Sequence, residues 1–347
     1  MRGTLFLPLS IVLFISCVKE VAINLPSKES KVVVNALMEP NTPPTIHVSL
    51  SSPINSSYNK TVNDATVIVY EDGIPIDSLH EGLLGIYRFV RILPKQNSMY
   101  RVRVITQSHG ITEGEVKIPV SPGIRITSIT TQTNLMGSDS YQWIETTVNL
   151  SVLLSDIANQ NNYYCMALTV GQDTFVLSQY RFDSNTNEWV DTILTRRCET
   201  MMYGRTNSPF VEYLAGEANF GFSGTPNVTR VDRSQSAILG SDFSLGGNAF
   251  WFTDGLFNGT EQILNFTLSF NPKAYNDCTV YDEVGGEILP FWVYVYSMSE
   301  SLYRYYSTAY LTPSDPFAEP VTIYTNISNG YGVVAARSIA RKVFMIE

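Results

Sequence analysis

Charge is what this sequence has least of. Asp, Glu, Lys and Arg make up 16% of its 347 residues, where about a quarter is usual in a globular chain. Hydrophobic residues reach 44%, so disorder is not expected and the surface must be built largely from Ser, Thr, Asn and Tyr. The 23 Lys+Arg against 32 Asp+Glu leave a net charge of -9. With no basic run to offset it, nucleic acid is excluded as an expected partner. Histidine is almost as scarce: His47, His80 and His109 are the only three. All precede residue 120, so the larger remainder cannot by itself assemble a Ser-His-Asp or Cys-His pair, nor a histidine-based zinc site. Cysteine is limited to Cys17, Cys165, Cys198 and Cys278, with no C-x-x-C pair to suggest zinc. An oxidising compartment would permit one disulfide among the last three; equally, all three fit as small buried apolar residues. Long apolar runs are missing too. Leu5 to Ile15 is too short for the roughly 20 residues of a membrane-spanning helix.

That short run has another use. It follows Arg2 and ends in Phe14-Ile15-Ser16-Cys17, the layout of a secretory signal closed by a small residue and a Cys. The arrangement resembles the bacterial lipobox, which implies a signal peptide over 1–16 and a diacylglyceryl group on the Cys17 sulfur. Several acyl chains, at ~0.8 kcal/mol per buried CH₂, anchor a protein durably where one chain is marginal. Residues 17–30 then read as lipidated Cys and tether, and Lys19-Glu20 loosely resembles a surface-export signal.

From Lys31 the pattern is one of short strands: Lys31–Leu37, Thr45–Leu50, Ala65–Tyr70 ended by Asp72-Gly73, Ile86–Val90, Tyr100–Val104 and Ile111–Ile118. Alternation such as Tyr100, Val102 and Val104 against Arg101 and Arg103 marks one dry and one wet face. Turns every 8–12 residues point to a small Ig-like or carboxypeptidase-regulatory-like β-sandwich over 31–120. Residues 124–347 predict a larger antiparallel sandwich or barrel-like domain, with strands at Ile124–Thr133, Ile144–Leu154, Tyr163–Val170, Thr174–Tyr180, Ile263–Phe270, Pro290–Ser297 and Pro320–Thr325. One amphipathic helix interrupts it at 299–311. Leu302, Tyr305, Tyr306, Ala309 and Tyr310 share a helical stripe, and Ser297-x-x-Glu300 has the form of a capping box. The fold class is therefore all-β with one helix near the C-terminus.

Candidate chemistry is thin. Gly221–Gly224 lacks the G-x-S-x-G spacing of a nucleophile elbow, and Gly246-Gly247 and Gly285-Gly286 lack the Lys-Ser/Thr of a phosphate loop. Asp282-Glu283 with Glu287 reads as a solvated turn, and Asp183–Asn187 as a hairpin tip without the closing Glu of a calcium loop. No catalytic, cofactor or metal residue is expected; a carboxylate-dependent hydrolase on carbohydrate or peptide is the alternative reading. The 20 Tyr, 17 Phe and 4 Trp favour a binding role, since stiff aromatic rings dominate recognition faces.

An ordered series of segments carries a family resemblance. It runs through Val33-Val34-Asn35, Asp64-Ala65-Thr66-Val67, Gly85-Ile86-Tyr87, Tyr100-Arg101-Val102, Ile118-Pro119 and Asp156 with Asn162-Tyr163-Tyr164. It continues with Phe252-Thr253-Asp254, Phe257-Asn258-Gly259, Tyr303-Arg304-Tyr305, Phe317–Val321 and Asn326-Ile327-x-Asn329-Gly330-x-Gly332. Together these resemble the outer-membrane lipoprotein family of the Bacteroidota defined by domain of unknown function 4249 (DUF4249). Asn97-Ser98-Met99 departs from it, standing where a Gly usually precedes the Tyr100 position. The resemblance implies a lipid-anchored outer-membrane protein facing the cell surface. It also implies a partner, a TonB-dependent transporter for which the protein serves as a non-catalytic binding or scaffolding accessory. A purely structural envelope component is a further alternative. The glycines at 330 and 332 are expected to serve close strand packing.

Overall fold

The computed structural model describes residues 29–52, 60–138, 141–170, 175–183, 188–196, 200–201, 204–206, 250–270, 280–281, 287–310 and 322–346. In chain order the first strands are β1 (Val32–Met38), β2 (Thr45–Leu50), β3 (Thr66–Glu71), β4 (Ile74–Leu79), β5 (Ile86–Arg88), β6 (Met99–Thr106) and β7 (Gly110–Lys117). Then come β8 (Gly123–Ser138), β9 (Tyr141–Ser155), β10 (Tyr163–Val170), β11 (Phe175–Asp183), β12 (Glu188–Arg196), β13 (Thr200–Met201) and β14 (Gly204–Thr206). The last are β15 (Phe250–Thr253), β16 (Glu261–Phe270), β17 (Val280–Tyr281), β18 (Glu287–Met298), helix α1 (Glu300–Tyr310) and β19 (Tyr331–Ile346). The protein is all-β, as its patterning predicts.

Alternation decides the strands locally. In β1, Val32, Val34, Ala36 and Met38 are buried and the residues between them face the other way. Asp72 and Gly73 both take positive φ, 49° and 85°, the conformation a tight hairpin turn requires between β3 and β4. In Asn97-Ser98-Met99, the stretch where the family resemblance leads one to expect a Gly before Tyr100, Asn97 also sits at φ 67°. Asn is the side chain that best tolerates that region, so the turn survives the replacement. Strand β4 escapes the sequence reading because it has no apolar alternation: it is a sheet edge with Ile74 67% exposed.

Two sandwiches share one sheet. Nine strands form it, in the order β13-β10-β18-β19-β1-β2-β5, with β15 beside β10 and β17 beside β18. Over its β1 end lies the four-stranded sheet β4-β3-β6-β7, and Val34, Val48, Val67, Tyr87, Val102 and Val334 meet between them. Over its β18 end lies β14-β16-β9-β8, enclosing Leu150, Tyr164, Phe252, Phe266, Phe291 and Phe344. Strand β19 joins the two. Its first part, Tyr331–Ala336, runs parallel to β1, and its second part, Arg337–Ile346, runs antiparallel to β18. The first sandwich therefore takes a strand from the far end of the chain, and this pairing crosses the boundary at 120–124. The parallel pair is also a departure from the purely antiparallel expectation; a strand arriving from more than 290 residues away needs no tight turn and can enter in either direction.

Close approach makes the junction possible. A Cβ at Gly332, whose φ is +97°, would stand 2.2 Å from the Val34 carbonyl oxygen, and one at Gly330 would stand 2.5 Å from that of Val32. Only glycine fits these positions. Helix α1 packs on the opposite face of the shared sheet, with Leu302 and Tyr306 buried against Cys165, Met298, Val333 and Ala335. Its cap differs from the expected Ser297-x-x-Glu300 box. Ser297 is the penultimate residue of β18, and Ser299 Oγ accepts the Leu302 amide at 3.2 Å. Thr322–Ile327 has no regular secondary structure, so the expected strand at Pro320–Thr325 is not a strand in its described part.

Candidate functional site

Cys17, Lys19-Glu20 and the tether as far as residue 28 lie outside the described residues, as do Cys198, Cys278, the Gly221–Gly224 segment and Asp282-Glu283. Residues 184–187 of the expected hairpin tip also lie outside the described residues, between the paired strands β11 and β12. Cys165 is a free, fully buried thiol under α1, and burial pushes its pKa up. The histidines do not meet. His80 Nδ1 is 3.0 Å from Thr66 Oγ1, and His109 Nδ1 is 2.7 Å from Ser108 Oγ. His47 lies on the helix-side face of β2, its pKa lowered by partial burial. Among the described residues no three His, Cys, Asp or Glu side chains gather as a metal site, and no helix is long and apolar enough to cross a membrane.

What the fold does gather is the set of residues that carries the family resemblance. Asn162, 4% exposed, donates from Nδ2 to Asp156 Oδ1 and Asp254 Oδ2, each at 3.1 Å, and to the Ile157 carbonyl at 2.7 Å. The Tyr164 hydroxyl donates to Asp156 Oδ1 at 2.5 Å, and the Gly259 amide to Asp156 Oδ2 at 2.6 Å. Burial, followed by that bond to Asp156, raises the Tyr164 pKa far above the ordinary phenol value. The Asn258 Nδ2 closes the ring on the Gln160 carbonyl at 2.6 Å. Segments about a hundred residues apart are thus tied by hydrogen bonds to charged acceptors, the stronger kind. Both oxygens of Asp156 and Oδ2 of Asp254 are engaged in holding amide, phenol and backbone groups.

A second staple closes the other sandwich. Asn326 Nδ2 donates to the carbonyls of Glu115 (3.0 Å) and Val334 (2.8 Å), and its Oδ1 accepts the Val334 amide at 2.9 Å. Between the two staples, at the start of α1, lies a cleft of about 500 Å³ lined by Glu115, Lys117, Asn161, Ser299, Ser301 and Tyr324 among others. Its buried hydroxyls are already partnered: Ser299 Oγ accepts the Ala336 amide at 3.0 Å, and Ser301 Oγ donates to the Val334 carbonyl at 3.0 Å. Beside these partnered hydroxyls the cleft presents the Glu115 and Lys117 side chains from one wall.

The exposed aromatic chemistry lies elsewhere. Along β18, Phe291, Val293 and Val295 point into the core, so period-2 geometry sends Trp292, Tyr294 and Tyr296 to the outer face. Successive ring centroids are 6.4 and 6.1 Å apart, with planes 28° and 17° from parallel. From β19 the Arg341 guanidinium stands 5.4 Å from the Trp292 ring centre and that of Arg337 5.0 Å from Tyr296. Arg337 Nε donates to Glu39 Oε1 at 2.5 Å. Burial works against its charge, and the Glu39 carboxylate more than restores it, leaving the pKa above its ordinary value. Val343 and Ile339, opposite Trp292 and Tyr296 in register, are 41% and 40% exposed. The result is a half-buried aromatic row edged by arginine and aliphatic side chains. Sequence reading placed a strand here but missed the row; the alternation in Phe-Trp-Val-Tyr-Val-Tyr was the available signal.

A family model described as a domain of unknown function, DUF4249, matches residues 18–343. A search of curated proteins finds no match. Among solved structures, a protein described as membrane anchored from Corynebacterium diphtheriae is 11% identical at a TM-score of 0.21, over 89% of this chain and 59% of that one. The chain thus spans less than two thirds of that protein. The partial N-terminal region of an enterococcal surface protein is 8% identical at a TM-score of 0.14, over 90% of this chain and 96% of that one. Values this low carry no assignment of fold or function.

Proposed function

Because the chain belongs to the DUF4249 family, we propose that it is a lipid-anchored outer-membrane protein of the Bacteroidota that binds rather than catalyses, working beside a TonB-dependent transporter at the cell surface. The lipobox-like ending at Cys17 supports the anchor. The observation that carries the binding reading is the outward row Trp292, Tyr294 and Tyr296 with Arg341 across it. Trp, Tyr and Arg are the side chains that concentrate binding energy at interfaces, and here a rigid shared sheet holds them in line. The engagement of Asp156 and Asp254 in the staple supports a non-catalytic role.

The test has two steps. Mass spectrometry of the N-terminal peptide should find acyl chains on Cys17; an unmodified start removes the anchor. Purification from detergent-solubilised membranes should then bring down a β-barrel transporter with the full chain. Replacing both Trp292 and Tyr294 by Ala should cut that recovery at least tenfold while leaving the thermal transition within a few degrees. Recovery of the protein alone, or a double variant that still retains its barrel, overturns the reading.

A further inference from the structure

Strand β8 is a sheet edge that nothing guards. It ends the order β14-β16-β9-β8, so only β9 pairs with it among the described residues. Every residue from Thr127 to Gly137 is exposed, on both faces of the strand. This stretch, Thr-Ser-Ile-Thr-Thr-Gln-Thr-Asn-Leu-Met-Gly, has no charge and no proline, and the one bulge lies at its base, between Ile126 and Ser128. Natural sheets blunt open edges with charges, prolines, bulges or brevity, because unpaired backbone groups recruit another strand. The other edges here follow that practice. Strand β4 carries Pro75 and Asp77, β7 carries Glu113, Glu115 and Lys117, and β5 and β14 have three residues each. At about 3.3 Å per residue, the unguarded length is roughly 36 Å.

We propose that β8 pairs with β8 of a second copy of this chain, antiparallel, about a two-fold axis at Gln132. The seven central residues of the stretch, Ile129 to Leu135, are similar in character in both directions about that point. Thr131 comes opposite Thr133, Thr130 opposite Asn134, and Ile129 opposite Leu135. Cross-strand Thr–Thr and aliphatic pairs of this kind stabilise antiparallel sheets. Ile129 and Leu135, exposed by 37% and 66%, cover one another in the pair and lie on the same face as Thr131 and Thr133. Electrostatics favour the same occupant. Two copies each carrying a charge of -9 repel over most of their surfaces, and along this uncharged edge they approach without setting like charges against each other. An isologous contact closes on itself, so a dimer forms in place of a filament.

The full chain in detergent should sediment as a dimer at micromolar concentration. Gln132→Lys sets two like charges directly across the axis and should weaken the dimer at least tenfold, with the circular dichroism spectrum unchanged. Gln132→Cys places two thiols on facing strand positions, within disulfide reach, and should form a covalent dimer under mild oxidation; Thr127→Cys, which in this register faces Gly137 and lies far from its own counterpart, should not. A monomer throughout the concentration range overturns the proposal, as does a dimer indifferent to Gln132→Lys. Cross-linking no better from position 132 than from position 127 also overturns it.

Discussion

The two sandwiches are built on one sheet from different materials. Valine is the commonest residue in the core over β1, where Val32, Val34, Val67, Val69, Val102 and Val104 interleave with a few larger groups. Phenylalanine is the commonest in the core over β18, with Phe252, Phe257, Phe266, Phe291 and Phe344. Small β-branched side chains fill a pleated surface evenly and repeat every second residue, and the Asn326 side chain ties the edge of this sandwich to Glu115 and Val334. Large rings bury more area each but tolerate less misplacement. Where the rings are, the chain adds the Asp156–Asn162–Asp254 staple, which fixes the β9–β10 connection against the segment after β15. Polar locks thus stand in both sandwiches, and the one about Asn162 gives a structural role to residues of the family-resembling series.

If β19 truly belongs to both sandwiches, damage to it must reach both. Gly332→Val should have the largest effect, a loss of more than about 4 kcal/mol or failure to fold, since the new Cβ meets the Val34 carbonyl oxygen. Chemical denaturation followed by tryptophan fluorescence should show one cooperative transition, shifted as a whole. Two separate transitions, with only the first displaced, would break the link. Next come the cores themselves. Phe291→Ala should cost roughly 3–5 kcal/mol, against roughly 2 for Val102→Ala; equal losses would erase the distinction between ring-filled and valine-filled interiors. The smallest effect sharpens the first sandwich. Tyr100 donates to Glu71 Oε1 at 2.7 Å, and burial, with that bond second, pushes its pKa from 10.0 to about 12. The folded chain keeps this proton to higher pH than the unfolded chain does. Its contribution is therefore full below pH 10 and lost as pH climbs toward about 12. Tyr100→Phe should cost about 1 kcal/mol at neutral pH, with the gap from the parent closing over that alkaline range in urea melts.

Sequence by itself determined the fold class and most of the individual strands. Thr45–Leu50 was legible to the residue because one-sided burial writes a period of two into a strand, and Tyr163–Val170, buried on both faces, as a short and mostly apolar run. The helix was legible for the same reason at a period of 3.6, although the cap belonged to Ser299, since a Ser in the last turn of a strand and one at a helix start look alike until the backbone is placed. The anchor expected at Cys17 is likewise a reading of local order alone, and it lies outside the described residues.

Only the tertiary structure decided how the strands join. Nothing local in Tyr331–Ile346 says that half of it will lie beside a strand that begins at residue 32, because pairing between distant strands depends on which surfaces remain uncovered once the nearer hairpins have formed. For the same reason the staple about Asn162 was scattered in sequence and became a site only when segments near residues 160 and 255 met. Side-chain period is a property of one strand and survives in the sequence; sheet order, register and the opposition of one strand to another are properties of pairs, and they exist only once the chain has closed on itself.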